Sequence, residues 1–218
     1  MRIELVGGLG VGKSTLCNAL DKIGFNSIYE TLQTNPFLAD CFADPENFRF
    51  PSQMWFALSK FQEIRKFERG DRINVLDQSV LNVRAYTNLL FGNQDGDALK
   101  IINDCFAYLE TKLGPPDLLI NLICSPEEQL RRIRLRNRPH ELNVTIDYIS
   151  SLQAEMNILL AQARQSHIPV LDIDTEEIYL PDNFGYAEIL AAKIATVMQI
   201  DLSQFFDTAT PRQYSLVG

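Results

Sequence analysis

The sequence predicts an α/β fold built on a doubly wound, five-stranded parallel sheet with helices on both faces, and three observations predict it. Residues 7 to 14, Gly7-Gly8-Leu9-Gly10-Val11-Gly12-Lys13-Ser14, fit G-x-x-x-x-G-K-[ST] and stand between a short apolar segment, Arg2 to Val6, and a helical run through Leu16, Ala19 and Leu20. The stretch from Asp117 to Cys124 is almost wholly apolar, as a strand covered on both faces must be. Strand and helix patterns alternate along the chain, with no repeat and no long low-complexity segment. With a phosphate-binding loop at its start, such a domain is of the P-loop NTPase type, and its phosphate site lies at the C-terminal end of the sheet.

The loop requires these residue types for a physical reason. Glycines let backbone N–H groups close round phosphate oxygens, and the helix that follows presents its positive end to the same anion. Gly7, Gly8, Leu9, Gly10, Val11, Gly12, Lys13, Ser14 and the adjoining Thr15 are therefore the candidate nucleotide-binding residues. Lys13 is placed to reach the β- and γ-phosphates. The Ser14 hydroxyl is a candidate ligand for Mg²⁺, which takes oxygen donors and keeps several waters.

At 218 residues and 46% hydrophobic, the chain suits one domain over residues 1–200, with residues 201–218 as a tail of unread role. A net charge of −8 argues against nucleic acid or an anionic membrane as the main partner, since either needs clustered positive charge. No apolar run approaches a membrane span and the N-terminus enters the first strand directly, so a soluble, cytoplasmic protein is expected. Cys17, Cys41, Cys105 and Cys124 are scattered, without a C-x-x-C pair, and His140 and His167 have no convergent partners, so neither a disulfide framework nor a zinc site is indicated.

After the first helix, Ser27-Ile28-Tyr29 reads as a strand ending at Glu30, a position where open α/β sheets carry functional groups, although a solvated strand-end carboxylate is the plainer reading. Asn35-Pro36, Asp44-Pro45 and Phe50-Pro51 are expected to break residues 31–52 into short helical pieces. A helix from Gln53 to about Glu68 then places Trp55, Leu58, Phe61 and Ile64 on its core face, with Lys60, Glu63, Arg65 and Lys66 outward. Arg72 to Asp77 is a strand with a carboxylate at its tip, followed by helices over about 80–91 and 98–113. Ser125-Pro126-Glu127-Glu128 opens a further helix with a cap, a first-turn proline and acidic residues. Ile149, Leu152, Met156 and Leu159 form one buried stripe over about 144–163, Ile168 to Ile173 is the last strand, and Tyr186, Leu190, Ile194 and Val197 mark the final helix.

Arg131, Arg132, Arg134, Arg136 and Arg138 crowd one helix of an otherwise acidic chain. A solvated face paired with Glu127, Glu128 and Glu141 accounts for them without function. The sharper reading is an arginine-bearing lid that neutralises charge on a phosphoryl group in transfer.

Taken together, the phosphate loop, Glu30, Asn35-Pro36-Phe37-Leu38, the Phe42 to Gln53 stretch, Asp77-Gln78-Ser79, Ser125-Pro126 and Arg132-Ile133-Arg134-Leu135-Arg136-Asn137-Arg138-Pro139-His140-Glu141 resemble the deoxynucleoside kinases over about residues 1 to 175. The resemblance implies ATP with Mg²⁺ as phosphate donor and a nucleoside as acceptor. It implies Glu30 as the base that removes the 5′-hydroxyl proton, Gln53 as the reader of the base edge, and Asp77 near the metal with Ser14. It further implies Arg132, Arg136 and Arg138 as phosphate contacts, with Arg132 catalytic alongside Glu30, Lys13 and Asp77. Glu141 is the implied contact of the 3′-hydroxyl, and Asp174 falls in the adenine-contacting region. Dimerisation through helices is typical of that family, and the residues here leave oligomeric state open.

Four departures fall in the substrate pocket. Gln78 stands where the family has an arginine, so a fixed cation beside the 5′-hydroxyl has become a neutral amide. A charge-assisted hydrogen bond contributes about 1.5 to 3 kcal/mol, which makes the exchange worth roughly tenfold to a hundredfold unless another arginine substitutes. Phe42 replaces a sugar-binding tyrosine and loses one neutral hydrogen bond of roughly 0.5 to 1.5 kcal/mol, whereas Val83, for an aspartate of purine- and cytidine-accepting members, and Thr87, for a stacking phenylalanine of many members, alter base recognition. Two rival readings are a nucleoside monophosphate kinase of thymidylate kinase type, which needs extra cations for the acceptor phosphate, and a nucleotide-binding homologue without catalysis, which Gln78 favours and Lys13, Glu30 and Asp77 oppose.

Overall fold

A computed structural model of the chain describes residues 1–30, 34–92, 94–138, 141–176 and 184–205, with the side chains of Phe42 and Phe184 outside that description. Strands β1 (Arg2–Val6), β2 (Asn26–Ile28), β3 (Asn74–Leu76), β4 (Leu118–Ile123) and β5 (Val170–Asp174) form one sheet in the order β2-β3-β1-β4-β5. All four pairings are parallel, with Ile3 opposite Val75 and Leu5 opposite Ile120. Such pairing needs a crossover between successive strands, and the helices α1 (Lys13–Lys22), α2 (Leu38–Ala43), α3 (Pro45–Phe67), α4 (Val80–Phe91), α5 (Gly96–Leu113), α6 (Pro126–Arg136) and α7 (Ile146–Gln165) supply the connections, while α8 (Phe184–Met198) follows the last strand.

Alternation along β1 sorts the core into two layers. Ile3 and Leu5 pack with Leu16 and Leu20 of α1 and with Leu190 and Ile194 of α8. On the other face Ile28 and Leu76 pack with Ile64 of α3, Val83 of α4 and Phe106 of α5. All five residues of β1 are buried, which is why this strand can sit at the centre. Helix starts are fixed by side chains that accept from the first turn: Asp44 from Asn47 N, Ser79 from Asn82 N, Ser125 from Glu128 N and Thr145 from Tyr148 N. Caps of this kind contribute about 1 kcal/mol each. The stripe Ile149, Leu152, Met156 and Leu159 is buried as expected.

Three expectations are corrected. Residues 45–67 form one helix, with Phe50-Pro51 inside it: Asp44-Pro45 is the true start, and Pro51 forgoes its own N–H bond to the carbonyl four residues back without ending the helix. The buried face of α3 carries Gln53, Ala57, Lys60 and Ile64, while Leu58 is 52% exposed. Steps of four, three and four residues follow the helical turn, whereas steps of three drift by about 60° each. On α8 the buried face is Ala187, Leu190, Ala191 and Ile194, and Val197 points outward. Beyond α8 a turn at Leu202–Gln204 brings Leu202 and Phe205 against the α1–α8 layer, and residues 206–218 lie outside the description.

Candidate active site

The central position of β1 brings the loop after it and the segment after β3 together above the C-terminal edge of the sheet. Gly7 and Gly10 have φ of 146° and 77°, and a Cβ on either would come within 2.8 Å of a backbone carbonyl, Leu122 O or Gln129 O, so the loop closes only with glycine there. Asn82, wholly buried on α4, braces Gly7 from both sides: its Oδ1 accepts from Gly7 N at 3.2 Å and its Nδ2 donates to Gly7 O at 2.9 Å. Lys13 Nζ donates to Gly7 O at 2.8 Å and Gly8 O at 2.7 Å. Burial pulls its pKa down to about 8, against the opposing pull of Asp77 and Glu30.

Ser14 and Asp77, far apart in sequence, meet at 2.8 Å, the serine hydroxyl donating to Asp77 Oδ2. Asp77 Oδ1 is buried without a hydrogen-bond partner. A hydroxyl and a buried carboxylate with an oxygen to spare fit Mg²⁺, which binds through one or two protein oxygens plus phosphates and water. Among the described residues no three His, Cys, Asp or Glu side chains converge as an all-protein cage.

Glu30 follows β2 by two residues and is half-buried. Burial raises its pKa to about 7; Lys60 and Lys13 oppose the rise, and Asp77 and Glu63 add to it. With its amide nitrogen turned toward Glu30, as the hydrogen-bond pattern requires, Gln78 donates to both carboxylate oxygens. Lys60 and Glu63, placed outward by the sequence reading, are instead 4% and 7% exposed and pair at 2.7 Å.

Further from the sheet, Gln53 and Thr87 share a hydrogen bond at 3.0 Å, and the Thr87 hydroxyl also lies 2.9 Å from Val83 O. Thr87 is completely buried, so this contact holds the Gln53 amide in place. Val83 is buried beside them, and Phe42 lies on α2.

Four of the five clustered arginines meet carboxylates that the plainer reading assigned them. Arg131 and Arg132 pair with Glu128; Arg136 makes a two-pronged pair with Glu141 at 2.7 Å for each bond, and Arg138 stands 3.8 Å from the same carboxylate. Arg136 and Glu141 also act electrostatically on Lys13, which brings them to the site. Arg132 is held by Thr175, donating to its carbonyl at 2.6 Å, while the Thr175 hydroxyl reaches Val11 O in the loop at 3.0 Å. Asp174 is exposed at the end of β5, where it accepts from Glu176 N. The arginine-bearing lid was expected to run on through Pro139 and His140, which lie outside the described residues.

The structure thus gathers Lys13, Ser14, Glu30, Asp77, Gln78, Arg136 and Glu141 round the loop, and sets Gln53, Val83 and Thr87 side by side, all buried. Sequence reasoning missed Lys60, Glu63, Asn82 and Thr175. A signal existed for Lys60 alone: it stands seven residues, two helical turns, after Gln53 and so shares its face.

Comparison with known proteins is consistent with this geometry. A model of the deoxynucleoside kinase family matches residues 3–199. The deoxyadenosine kinase of Dictyostelium discoideum is 31% identical over 186 residues, 84% of this chain and 76% of the relative. The deoxyadenosine/deoxycytidine kinase of Bacillus subtilis is 30% identical over 203 residues, covering 90% of this chain and 92% of the relative. Among solved structures, deoxyadenosine kinase from M. mycoides with bound dCTP superposes with a TM-score of 0.72 at 22% identity, over 90% of this chain and 100% of that one, which shows a shared fold. No helix among the described residues is long and apolar enough to cross a membrane.

Proposed function

The chain belongs to the deoxynucleoside kinase family, and we propose that it transfers the γ-phosphoryl group of ATP to the 5′-hydroxyl of a deoxynucleoside or related nucleoside, with Glu30 as general base. Membership makes it a nucleoside kinase; the hydroxyl, the base and the residue roles are the proposal. The observation that carries it is the position of Glu30, whose carboxylate meets the Gln78 amide next to the Ser14–Asp77 pair, with burial lifting its pKa to about 7. A base works best when its pKa lies near the operating pH.

In this reading Glu30 accepts the 5′-hydroxyl proton as that oxygen bonds to the γ-phosphorus and the bond from the γ-phosphorus to the β-bridging oxygen breaks, releasing ADP. Lys13 leaves the carbonyls of Gly7 and Gly8 for the β- and γ-phosphate oxygens, and the loop N–H groups hold the rest of the triphosphate. Ser14 and Asp77 are the residues that would hold Mg²⁺, which when bound neutralises charge on the phosphates. Arg136 is the arginine best placed to contact phosphate, at the expense of its pair with Glu141, and Glu141 is the contact of the sugar 3′-hydroxyl. Gln53, oriented by Thr87, reads the base edge. Arg132 and Arg138 serve at the margin of the phosphate site, and Asp174 near the adenine.

A monophosphate acceptor is not favoured, because the family match and the named relatives are nucleoside kinases. The test is a panel of deoxynucleosides, ribonucleosides and nucleoside monophosphates with Mg²⁺ and ATP, scored for acceptor-dependent ADP and for the 5′-monophosphate. Nucleoside phosphorylation that disappears in Glu30→Gln is the expected result. Turnover of monophosphates alone, or ATP binding with no acceptor turned over, overturns it.

A further inference from the structure

Gln78, whose amide meets the carboxylate of Glu30, leaves a chemical gap there. A neutral amide donates hydrogen bonds to the carboxylate but supplies no net charge to hold it ionised or to offset the negative charge that gathers as the hydroxyl attacks. We infer that Lys60, locked in place by Glu63, supplies the fixed positive charge beside Glu30 that Gln78 does not, and so acts as a positioning residue for phosphoryl transfer. The inference rests on Glu30 being the general base.

Two markers set the level of Lys60 in the fold. The Asn26 side chain at the start of β2 donates to Phe67 O at the end of α3 at 2.9 Å, so the strand and the helix share a level there. From that level β2 climbs two residues to Ile28, roughly 7 Å at strand rise, with Glu30 two residues beyond its end, and α3 climbs back seven residues to Lys60, roughly 10 Å at helix rise. Gln53 stands a further seven residues, again roughly 10 Å, up the helix. Lys60 therefore lies near the height of the carboxylate, and Gln53 above it where a base would extend. Both are on the buried face of α3, whose Ala57 and Ile64 pack with Ile28 and Leu76 of the strands that lead to Glu30 and Asp77.

Burial argues that this cation is placed for a purpose of charge. A lysine 4% exposed has lost nearly all of its hydration, and its pair with Glu63 at 2.7 Å is itself buried. A buried ion pair seldom adds stability over an apolar pair of similar size. Its field is felt by Glu30 more strongly than that of Lys13, and it reaches Glu4 in β1 as well. Glu63 serves as tether: one turn along the same helix, it holds the ammonium group in one place.

The test uses Lys60→Met combined with Glu63→Leu, so that no orphaned carboxylate is left behind, together with Lys60→Arg alone. Gln78→Arg is then added to the doubly substituted protein. Thermal melts establish that each variant folds. The expected result is a tenfold to hundredfold fall in kcat for the Met/Leu variant on every nucleoside accepted, with KM nearly unchanged. Lys60→Arg should keep most of the rate, and Gln78→Arg should restore most of what the Met/Leu variant lost. A folded Met/Leu variant with unchanged kcat overturns the inference, and so does failure of Gln78→Arg to restore the rate. A loss confined to the KM of one nucleoside also overturns it, because Lys60 would then contact a base. Glu30→Gln in the same assay separates the premises: if it retains wild-type turnover the general-base reading fails, whereas its inactivity with an unaffected Lys60 variant removes the Lys60 inference alone.

Discussion

Replacing Glu30 by glutamine should make the protein more stable and less active, and the two effects have one cause. In the folded chain burial lifts the Glu30 pKa from 4.5 to about 7. The folded state therefore binds this proton more tightly than the unfolded state, and stability declines as pH rises from 4.5 through 7, where the buried group must ionise. At about 1.4 kcal/mol per pKa unit, the full cost above pH 8 is about 3 kcal/mol, and at pH 5 it is below about 1 kcal/mol. Glutamine has nearly the same shape and never ionises, so Glu30→Gln removes the cost without opening a cavity. Denaturant titrations of both proteins should show a gain of about 3 kcal/mol at pH 8 that shrinks toward zero at pH 5. In thermal melts at pH 8 that gain corresponds to roughly 6 to 12 °C for a domain of this size. Turnover should fall by about a hundredfold to ten-thousandfold, the usual contribution of a positioned base. Equal stabilities at every pH would refute the buried-carboxylate reasoning, and a gain that grows toward acid pH would reverse its sign.

Three other outcomes follow from the site. The pH profile of kcat/KM, which reports the free enzyme, should fall below about 7 as Glu30 gains its proton and above about 8 as Lys13 loses its own; in kcat the alkaline limb should move up, because bound phosphate favours charged Lys13. Lys13→Ala should lower kcat at least a hundredfold, the scale of removing one preorganised transition-state donor, as measured by coupled ADP release. Asn82→Ala should destabilise the protein by about 1 to 3 kcal/mol by leaving Gly7 N–H and C=O buried and unpaired, and should weaken ATP binding in a fluorescence titration, since the loop loses its brace.

The architecture was legible wherever one residue pattern admitted one structure. The phosphate loop is fixed by glycines that no other residue can replace at Gly7 and Gly10, and Leu118 to Leu122 could only be a strand covered on both sides. Pro51 misled because a proline reads locally as a helix break, while the burial of Ser52, Gln53, Ala57 and Ile64 against the sheet carries the helix through it. Lys60 and Glu63 were set outward because charged residues are seldom buried, and an aromatic and aliphatic stripe at three-residue spacing drew attention from the true face. Strand-end position made Glu30 and Asp77 candidates, and the family resemblance supplied their proposed roles. The anchoring of Arg132 by Thr175 was not readable, since it depends on how the end of β5 meets α6 in space.

The central claim is that the carboxylate of Glu30 meets the hydroxyl that attacks the γ-phosphate. A crystal structure of the protein with Mg²⁺, a non-hydrolysable ATP analogue and an accepted nucleoside measures that distance directly. The account predicts the nucleoside 5′-oxygen within hydrogen-bonding reach of Glu30 and in line with the γ-phosphorus held by Lys13; a 5′-oxygen bound elsewhere, with Glu30 turned from the cleft, would contradict it.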